Sequence, residues 1–478
     1  MIRFHASQKL STDVVWRNAI SGMVCFAMCA LIMCAPRLKA QQGNTTVQLP
    51  TFGVAIDAVG LLSVKSFPDP LGRLHAARVA AARAGLPRDI AVPSDMRMVS
   101  LLRLEKAVGR AVAAGGQPDE MMRNLAGLQS LRYVFFYPDE PDIVIAGPAE
   151  GWVADASGRV VGIKTGRPVL RLDDLVVALR AYAPGSNNRP FIGCTIDPNR
   201  DGLARLQKFQ QTIPRTIPQR ARQQVAARIA QGSAESLGMA NIRVFGISAN
   251  THFAQVMIEA DYRMKLIGVG LEPPPTRMTT FIGALTVPQH SMLQRWWFTP
   301  RYDCVRVTKD RQAMELVGEA VQLLAEDKLV GPDGQLAPAA AKPSKASELF
   351  TMGFTRKYPE IAARSPVYAQ LRNLIDMLVA AAFIRQQDFY GQASWNLGVL
   401  GDETALPVQT VRAAERVPCV VNTVWKGNRL LSPAGGGVSI RADVALEPDR
   451  LLADENGKVA ERYRNIGLPA DKSRWWWD

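Results

Sequence analysis

The segment FIGCTIDPNRDGLARLQKFQQ, residues 191–211, passes from a short apolar run of β type into a stretch with helical spacing. Leu203, Leu206 and Phe209 recur at the three-residue interval that places side chains on one helix face. The same order returns in IRVFGI followed by THFAQVMIEADYRM, and in YDCVRVT followed by RQAMELVGEAVQLLAE. Three successive strand–helix units predict an α/β layer.

The flanking segments predict the remaining elements. Helical patterns near residues 71–84, 95–114 and 118–129 precede RYVFFYP and DIVIAG, two apolar runs that predict a β-hairpin. SPVYAQLRNLIDMLVAAAFIRQ, residues 365–386, is too apolar for a surface helix, and we expect it to be buried. Beyond residue 404 the chain is rich in β-type runs, KVAERYR among them, and the GGG at 435–437 is expected to form a flexible turn. The predicted fold class is mixed α/β (α+β), with a helical insert and a β-rich C-terminal part.

An Asp-x-x-Gly pattern occurs three times, in AIDAVGLLSVK, VADASGRVVGIK and LADENGKVAERY. Asp and Gly are the residues that tight turns require. We therefore expect three similar turns between β-type runs and no repeated domain.

The N-terminus has the sequence features of an export signal. Arg3, Lys9 and Arg17 precede the apolar run AISGMVCFAMCALIMCA, and LKA supplies a small residue just before Gln41. We expect residues 1–40 to be a signal peptide or an N-terminal anchor, and the protein to be exported to the periplasm or the extracellular space. The remaining ranges are a mixed α/β domain at 41–190, an α/β domain at 191–330, a Gly-, Pro- and Ala-rich linker at 331–347, and a helical and β-rich part at 348–478.

The chain is basic, with a formal charge of +14, of which the predicted leader supplies five basic residues and one acid. The mature chain therefore keeps +10, and much of it falls between residues 187 and 232. The candidate basic patch consists of Arg205, Arg215, Arg220, Arg222 and Arg228. An exported basic patch favours an acidic envelope polymer, a lipid surface or another protein as partner over nucleic acid. The alternative interpretation is a solvated, arginine-rich helix face.

Three cysteines remain in the mature chain, Cys194, Cys304 and Cys419, each within a short β-type run. Cysteine in such a run behaves as a small core residue, so we expect buried free thiols and no disulfide bridge. A single disulfide is the alternative in an oxidising compartment.

Asp197, Asn199, Asp201 and Gly202 fill the first positions of an EF-hand calcium loop. Lys208, however, occupies the closing position, where calcium needs a bidentate carboxylate. We therefore expect a helix start capped by Asn199 or Asp201, and no metal site.

Candidates for catalysis are sparse. His252 and Glu259 share one face of a predicted helix, but their backbones are roughly 10 Å apart, so a third group would be needed for proton transfer. Asp173 and Asp174, or Glu259 with a distant Asp, could form a carboxylate pair in space. No phosphate loop, nucleophile elbow or spaced Cys/His cluster occurs, so we expect no cofactor, and whether the chain is an enzyme stays open.

The segment SRWWWD carries three adjacent indoles, Trp475, Trp476 and Trp477. Neighbouring side chains of an extended segment point to opposite faces, so three indoles cannot enter one flat core face together. Either the segment docks in a groove of the protein or it is an aromatic anchor for a partner.

The blocks FIGCTIDPNRDGLARLQ, THFAQVMIEADYRMKLIGVGLE and SPVYAQLRNLIDMLVAAAFI resemble an uncharacterised family of exported proteins, a domain of unknown function, from planctomycete-type bacteria. The resemblance spans most of the mature chain and implies neither an activity nor catalytic residues. From the residues we predict a binding or envelope-organising protein, and the alternative is a hydrolase acting on cell-envelope polymers.

Overall fold

The strand–helix order beginning at residue 191 is present in the first two predicted units. The structure is a computed structural model that describes residues 51–69, 71–214, 218–286, 292–318, 321–338, 343–426 and 428–478. The predicted leader, residues 1–40, lies outside the described residues. Gln48–Asp478 form one compact unit, to which the following description refers.

Within the described residues the backbone forms twenty strands. They are β1 Thr51–Ile56, β2 Leu62–Phe67, β3 Ser94–Ser100, β4 Tyr133–Tyr137, β5 Asp142–Ala149, β6 Trp152–Ala154, β7 Val160–Gly162, β8 Ile192–Pro198, β9 Met239–Phe245, β10 Met292–Pro300, β11 Val305–Val307, β12 Ala313–Leu316, β13 Val321–Ala325, β14 Lys328–Val330, β15 Leu336–Pro338, β16 Arg416–Pro418, β17 Val420–Lys426, β18 Asn428–Ile440, β19 Leu452–Ala453 and β20 Trp476–Trp477.

The same ranges contain fourteen α-helices. They are α1 Arg73–Gly85, α2 Arg88–Ala91, α3 Leu101–Ala113, α4 Glu120–Arg123, α5 Leu172–Ala181, α6 Arg200–Gln211, α7 Arg222–Leu237, α8 His252–Gly268, α9 Phe281–Ala284, α10 Lys345–Arg364, α11 Pro366–Gln386, α12 Phe389–Gln392, α13 Gly398–Gly401 and α14 Lys458–Asn465.

Two large sheets organise these elements, and the predicted mixed α/β class is confirmed. The nine-stranded sheet follows the order β15-β14-β10-β18-β8-β9-β16, with β13 on β10 and β17 on β18. The seven-stranded sheet follows the order β19-β11-β12-β4-β5-β3-β20. Most neighbours are antiparallel, but β10 and β18, and β11 and β19, are parallel. Both sheets contain strands from several of the ranges that we predicted to be separate domains. The boundaries of those domains stay a prediction.

Two small hairpins accompany the sheets and confirm two of the Asp-x-x-Gly turns. β1 pairs with β2, and β6 pairs with β7. In the second turn the Asp155 carboxylate accepts hydrogen bonds from the backbone N–H groups of Ser157 and Arg159, which holds the reversal closed. The third turn differs from the prediction, because Gly457 directly precedes helix α14 and the expected β-run after it is helical.

The third predicted strand–helix unit is wrong in its second half. Residues 311–326 form strands β12 and β13, separated by Gly318, whose φ of 73° lies in the left-handed region. A helix does not continue through that conformation. Instead, β12 pairs with β4 and β11, and β13 pairs with β10. The predicted helix at 95–114 is likewise strand β3 over its first residues and helix α3 over the rest.

The predicted flexible turn at 435–437 is also wrong, because the three glycines lie inside strand β18. A Cβ on Gly437 would lie 1.8 Å from the Cys194 carbonyl oxygen, and one on Gly436, whose φ is 112°, would lie 2.0 Å from the Trp296 carbonyl oxygen. Glycine is therefore needed here because two neighbouring backbones approach the strand closely.

The predicted buried helix is confirmed as α11. It is long and apolar enough to span a membrane by length and composition, yet 89% of its most apolar window is buried inside the protein. It packs against α5, α8 and α10 at the centre of the core. KVAERYR, which we expected as a β-run, belongs to helix α14.

The three indoles of SRWWWD are docked within the fold. Trp476 and Trp477 form strand β20 and pair with Val99 and Met98 of β3. Each of the three indole residues is at most 8% exposed. Trp476 joins the main core and Trp477 a second cluster on the other face of the sheet, as the alternation of an extended strand requires.

Candidate functional site

Four arginines from distant parts of the chain line one cavity of about 480 Å³. Arg132 directly precedes strand β4, Arg167 lies in the loop after β7, Arg306 lies in β11, and Arg372 lies in helix α11. Helices α10 and α11 form one wall, and the ends of β11 and β12 form another. We call this space the arginine cavity.

A single carboxylate, Glu315 of β12, serves two of these arginines. Its Oε2 accepts from Arg306 Nη1 at 2.7 Å, and its Oε1 lies 3.3 Å from Arg132 Nη2. The Tyr133 hydroxyl donates to the same Oε1 at 3.0 Å. Burial and the neighbouring Glu315 charge raise the pKa of Tyr133, so that hydroxyl stays a donor. Glu315 is therefore fully engaged within the protein.

The other two arginines have weaker partners. Arg372 donates to the Gly318 carbonyl oxygen at 2.9 Å, and its Nε lies 3.5 Å from Asp376, a buried carboxylate behind the cavity wall. Burial raises the pKa of Asp376 to about 6, and the Arg372 charge opposes that shift. Arg167 is exposed, and within the described ranges its guanidinium has no hydrogen-bond partner.

The arginine cavity thus has four guanidinium groups and one lining carboxylate. Guanidinium forks match carboxylate and phosphate oxygens in a bidentate geometry and keep their charge at every physiological pH. A metal cation would be repelled here, and within the described residues no three His, Cys, Asp or Glu side chains are grouped to hold one. The charge of the cavity lining is therefore complementary to an anion.

The described members of the predicted basic patch do not line this cavity. Arg205, Arg220 and Arg228 are exposed on the α6 and α7 side of the nine-stranded sheet, where Arg205 donates to the Ser236 carbonyl oxygen. Arg215 and the side chain of Arg222 lie outside the described residues. The patch as a binding site stays a prediction.

The helix start predicted at residue 199 is confirmed. The Asn199 side chain accepts from the Gly202 backbone N–H at 2.7 Å and caps α6. Asp197 points elsewhere, to Arg295 at 2.9 Å and to the Gly436 backbone N–H at 3.0 Å. The Asn199 amide therefore caps the helix, and the Asp197 carboxylate holds neighbouring strands of the sheet together.

His252 is the first residue of helix α8, and its side chain contacts the Asp174 carboxylate of helix α5. Its Nδ1 lies 2.9 and 3.0 Å from the two oxygens of Asp174 in α5. Asp173, the neighbouring candidate, pairs instead with Arg171 at 2.9 Å. The two aspartates therefore do not form a carboxylate pair.

Glu259, the other acidic candidate, belongs to a buried ionic ladder along α8. It accepts from Arg159 at 2.6 Å and lies 3.4 Å from Arg263, which in turn binds Glu272 at 2.7 Å. Two cations and two anions alternate, so the ladder is neutral as a unit. The ladder thus has one carboxylate for each cation, whereas in the cavity Arg132 and Arg306 share Glu315.

The three described cysteines are free and buried. Burial raises the thiol pKa of Cys304 and Cys419 to about 12 and raises that of Cys194 as well. Each side chain therefore stays a neutral thiol, without the thiolate that nucleophilic catalysis needs.

The comparisons with known proteins find one match. Residues 194–281 match a family described as "Protein of unknown function (DUF1598)". No curated protein and no solved structure matches the chain. The matched range runs from β8 to α9 and contains α8 with His252 and Glu259, whereas the arginine cavity lies outside it.

Proposed function

We propose that this protein is an exported binding protein that holds an acidic group of an envelope polymer in the arginine cavity. The observation that carries the proposal is the excess of guanidinium groups over carboxylates around one concave space. The predicted signal and the basic mature chain agree with a partner of this kind.

The oxygens of the partner's acidic group would accept hydrogen bonds from guanidinium N–H groups that the described part of the protein leaves without an acceptor. The whole guanidinium of Arg167 is available to a ligand. Arg132 and Arg306 use only part of their guanidinium groups to bind Glu315. Arg132 is 55% exposed and Arg306 is 37% exposed, so both can reach a ligand without unfolding. The cavity exceeds the size of an inorganic anion, which favours a sugar acid over phosphate or sulfate.

Calorimetric titration with glucuronate tests this proposal. We expect the wild type to bind with one site, and Arg167→Met to bind at least about tenfold more weakly, because one charge-assisted contact contributes about 1.5–3 kcal/mol. Arg110→Met, at an exposed arginine of α3, is the matched control and should keep wild-type affinity. Equal affinity in the wild type and Arg167→Met would show that the cavity is not the binding site.

Hydrolysis of an envelope polymer is the second candidate, favoured by the pairing of His252 with Asp174. A carboxylate that orients an imidazole is the arrangement that prepares a general base. Release of reducing ends from purified envelope polymer, lost in Asp174→Asn, would support this candidate. Binding of glucuronate without any such release would favour the binding protein.

A further inference from the structure

A large open groove lies between strand β13 and helix α10, and it shares no lining residue with the arginine cavity. It has a volume of about 1340 Å³, above the roughly 300–1,000 Å³ of sites for drug-sized ligands. A Cβ added to Gly353, in the middle of α10, would meet no atom within 4 Å, so the space above this face of the helix is open. We call this space the α10 groove.

Three large apolar residues that line the α10 groove are exposed. Leu324 of β13 is 48% exposed, and Leu349 and Met352 of α10 are 46% and 68% exposed. Leu349 and Met352 are three positions apart and therefore share one helix face. Exposed apolar residues gathered around one groove, in contrast to those scattered singly over a surface, indicate a site for an apolar partner.

The charged residues that line the α10 groove are mostly cationic. They are four cations, Arg277, Arg301, Arg356 and Lys357, and one acid, Glu348. Lys357 pairs with Glu360 at 2.6 Å. Arg277 and Arg356 are exposed, and within the described ranges their guanidinium groups have neither an ion pair nor a hydrogen bond. These two guanidinium groups are therefore available to an anion.

The edge of β13 that faces α10 is already engaged by the helix. The Thr355 hydroxyl accepts from the Leu323 backbone N–H at 2.9 Å and donates to the Thr351 carbonyl oxygen at 2.8 Å. A partner's peptide would have to break the contact between Thr355 and Leu323 to extend the sheet at this edge. An acyl chain needs no backbone pairing, so this contact favours a lipid over a peptide strand.

We propose that the α10 groove takes up an acyl chain of an anionic lipid, whose phosphate is bound by Arg277 and Arg356. The exposed apolar residues match the chain, and the excess of cations over acids matches the charge of the head group. The proposal does not rest on the arginine cavity, because a sugar acid has no apolar chain to cover Leu349 and Met352.

Calorimetric titration with tetradecanoyl lysophosphatidylglycerol, at concentrations below micelle formation, tests the proposal. We expect saturable binding at one site. The lysophosphatidylcholine with the same chain has a head group without net charge, and it should bind at least about fivefold more weakly. Glycerol phosphate, which has the phosphate but no acyl chain, should not bind measurably.

Two surface variants test the apolar and the cationic part of the α10 groove separately. Met352→Gln keeps the length of the side chain and removes apolar surface, and Arg356→Gln removes one charge. We expect each to weaken lysophosphatidylglycerol binding at least about fivefold and to change the melting temperature by less than about 2 °C. Leu74→Gln, at an exposed leucine of α1, and Arg110→Gln, at an exposed arginine of α3, are the matched controls and should bind as the wild type does.

The α10 groove and the arginine cavity can be tested independently. Arg167→Met should leave lysophosphatidylglycerol binding unchanged, and Met352→Gln should leave glucuronate binding unchanged. Failure of one proposal is therefore distinguishable from failure of the other.

Three results would overturn the lipid proposal. One is the absence of saturable binding of lysophosphatidylglycerol. Another is equal affinity for the two lysolipids, or unchanged binding in either Met352→Gln or Arg356→Gln. The third is a dimer in sedimentation velocity that dissociates in Met352→Gln, which would assign the groove to a second copy of this chain.

Discussion

Two arginine sites in this protein differ in how their guanidinium groups are satisfied. Arg97 of β3 is fully buried, and its three guanidinium nitrogens all donate to acceptors within the protein. Asp478 accepts two of these hydrogen bonds, at 2.8 and 2.9 Å, and backbone carbonyl oxygens accept the others. Arg167 of the arginine cavity is exposed, and its guanidinium has no partner among the described residues.

The difference indicates which charges hold the fold and which are available to a ligand. A buried cation without partners would destabilise the native state by several kcal/mol, so the fold supplies acceptors around Arg97. An exposed guanidinium is satisfied by water, and its hydration can be exchanged for a ligand's oxygens. The number of internal partners therefore separates structural from binding arginines, and this distinction can be tested.

Deletion of Trp475 to Asp478 should have the largest effect. It removes strand β20, three buried indoles and the Asp478 carboxylate that Arg97 needs. We expect a loss of more than about 5 kcal/mol and a melting temperature lower by about 10 °C or more, measured by calorimetry. Unchanged melting with weakened envelope association would instead identify the segment as an anchor for a partner.

The substitution Arg97→Met should come next, and Arg167→Met is its matched control. Breaking the buried pair leaves Asp478 and three carbonyl oxygens without their donor, so we expect a loss of about 3–5 kcal/mol in urea unfolding. The same change at Arg167 should alter stability by less than about 0.5 kcal/mol. Similar losses in both variants would refute the distinction between the two sites.

A smaller effect of opposite sign is expected for Asp376→Asn. Burial raises the pKa of Asp376 to about 6 in the folded state, so the native protein holds the proton more tightly than the unfolded chain. Its contribution to stability is therefore greatest at low pH and falls as the pH rises from about 4 to about 6. We expect Asp376→Asn to be more stable than the wild type at pH 7, by roughly 1–3 kcal/mol.

Urea unfolding at pH 7 and pH 4.5 would check this sign. The wild type should gain more stability on acidification than Asp376→Asn does. Asp142 and Asp261, whose pKa values burial also raises to about 6, contribute in the same direction in both proteins and cancel in the comparison. A variant that is less stable than the wild type at pH 7 would show that the Arg372 contact outweighs burial.

A stabilising effect of similar or smaller size is expected from the ligand. Glucuronate at ten times its dissociation constant should stabilise the wild type by about 1.4 kcal/mol, because it binds only the folded state. The increase in melting temperature should be retained in Arg110→Met and strongly reduced in Arg167→Met. An equal increase in all three proteins would place the glucuronate site elsewhere.

Local patterns allowed several elements to be predicted. Asn199 and the apolar spacing after it are sufficient for a capped helix, since both the cap and the face lie within ten residues. Helix α11 could be predicted from its apolar composition, which is also a local property of the sequence. Residues 311–326 have helical spacing as well, but Gly318 and the pairing with distant strands override it.

The candidate sites could not be predicted because their residues are separated in the chain. The four arginines of the cavity come from three strand or loop segments and one helix, and none has a local motif around it. His252 contacts Asp174, which lies 78 positions away in the chain. The sequence pointed to this site only through helix α8, where His252 and Glu259 share one face. Residue spacing gives faces of helices, whereas pairing between elements depends on the tertiary fold.

The docking of β20 on β3 also has a kinetic consequence. Arg97 and Asp478 are 381 positions apart, and the parallel pairs β10 with β18 and β11 with β19 also join remote segments. The entropy of closing such long loops is lost before their contacts form, so this chain should refold slowly after dilution from denaturant. Until β20 arrives, the edge of β3 is open to strands of other molecules. The yield of refolding should therefore fall steeply with protein concentration.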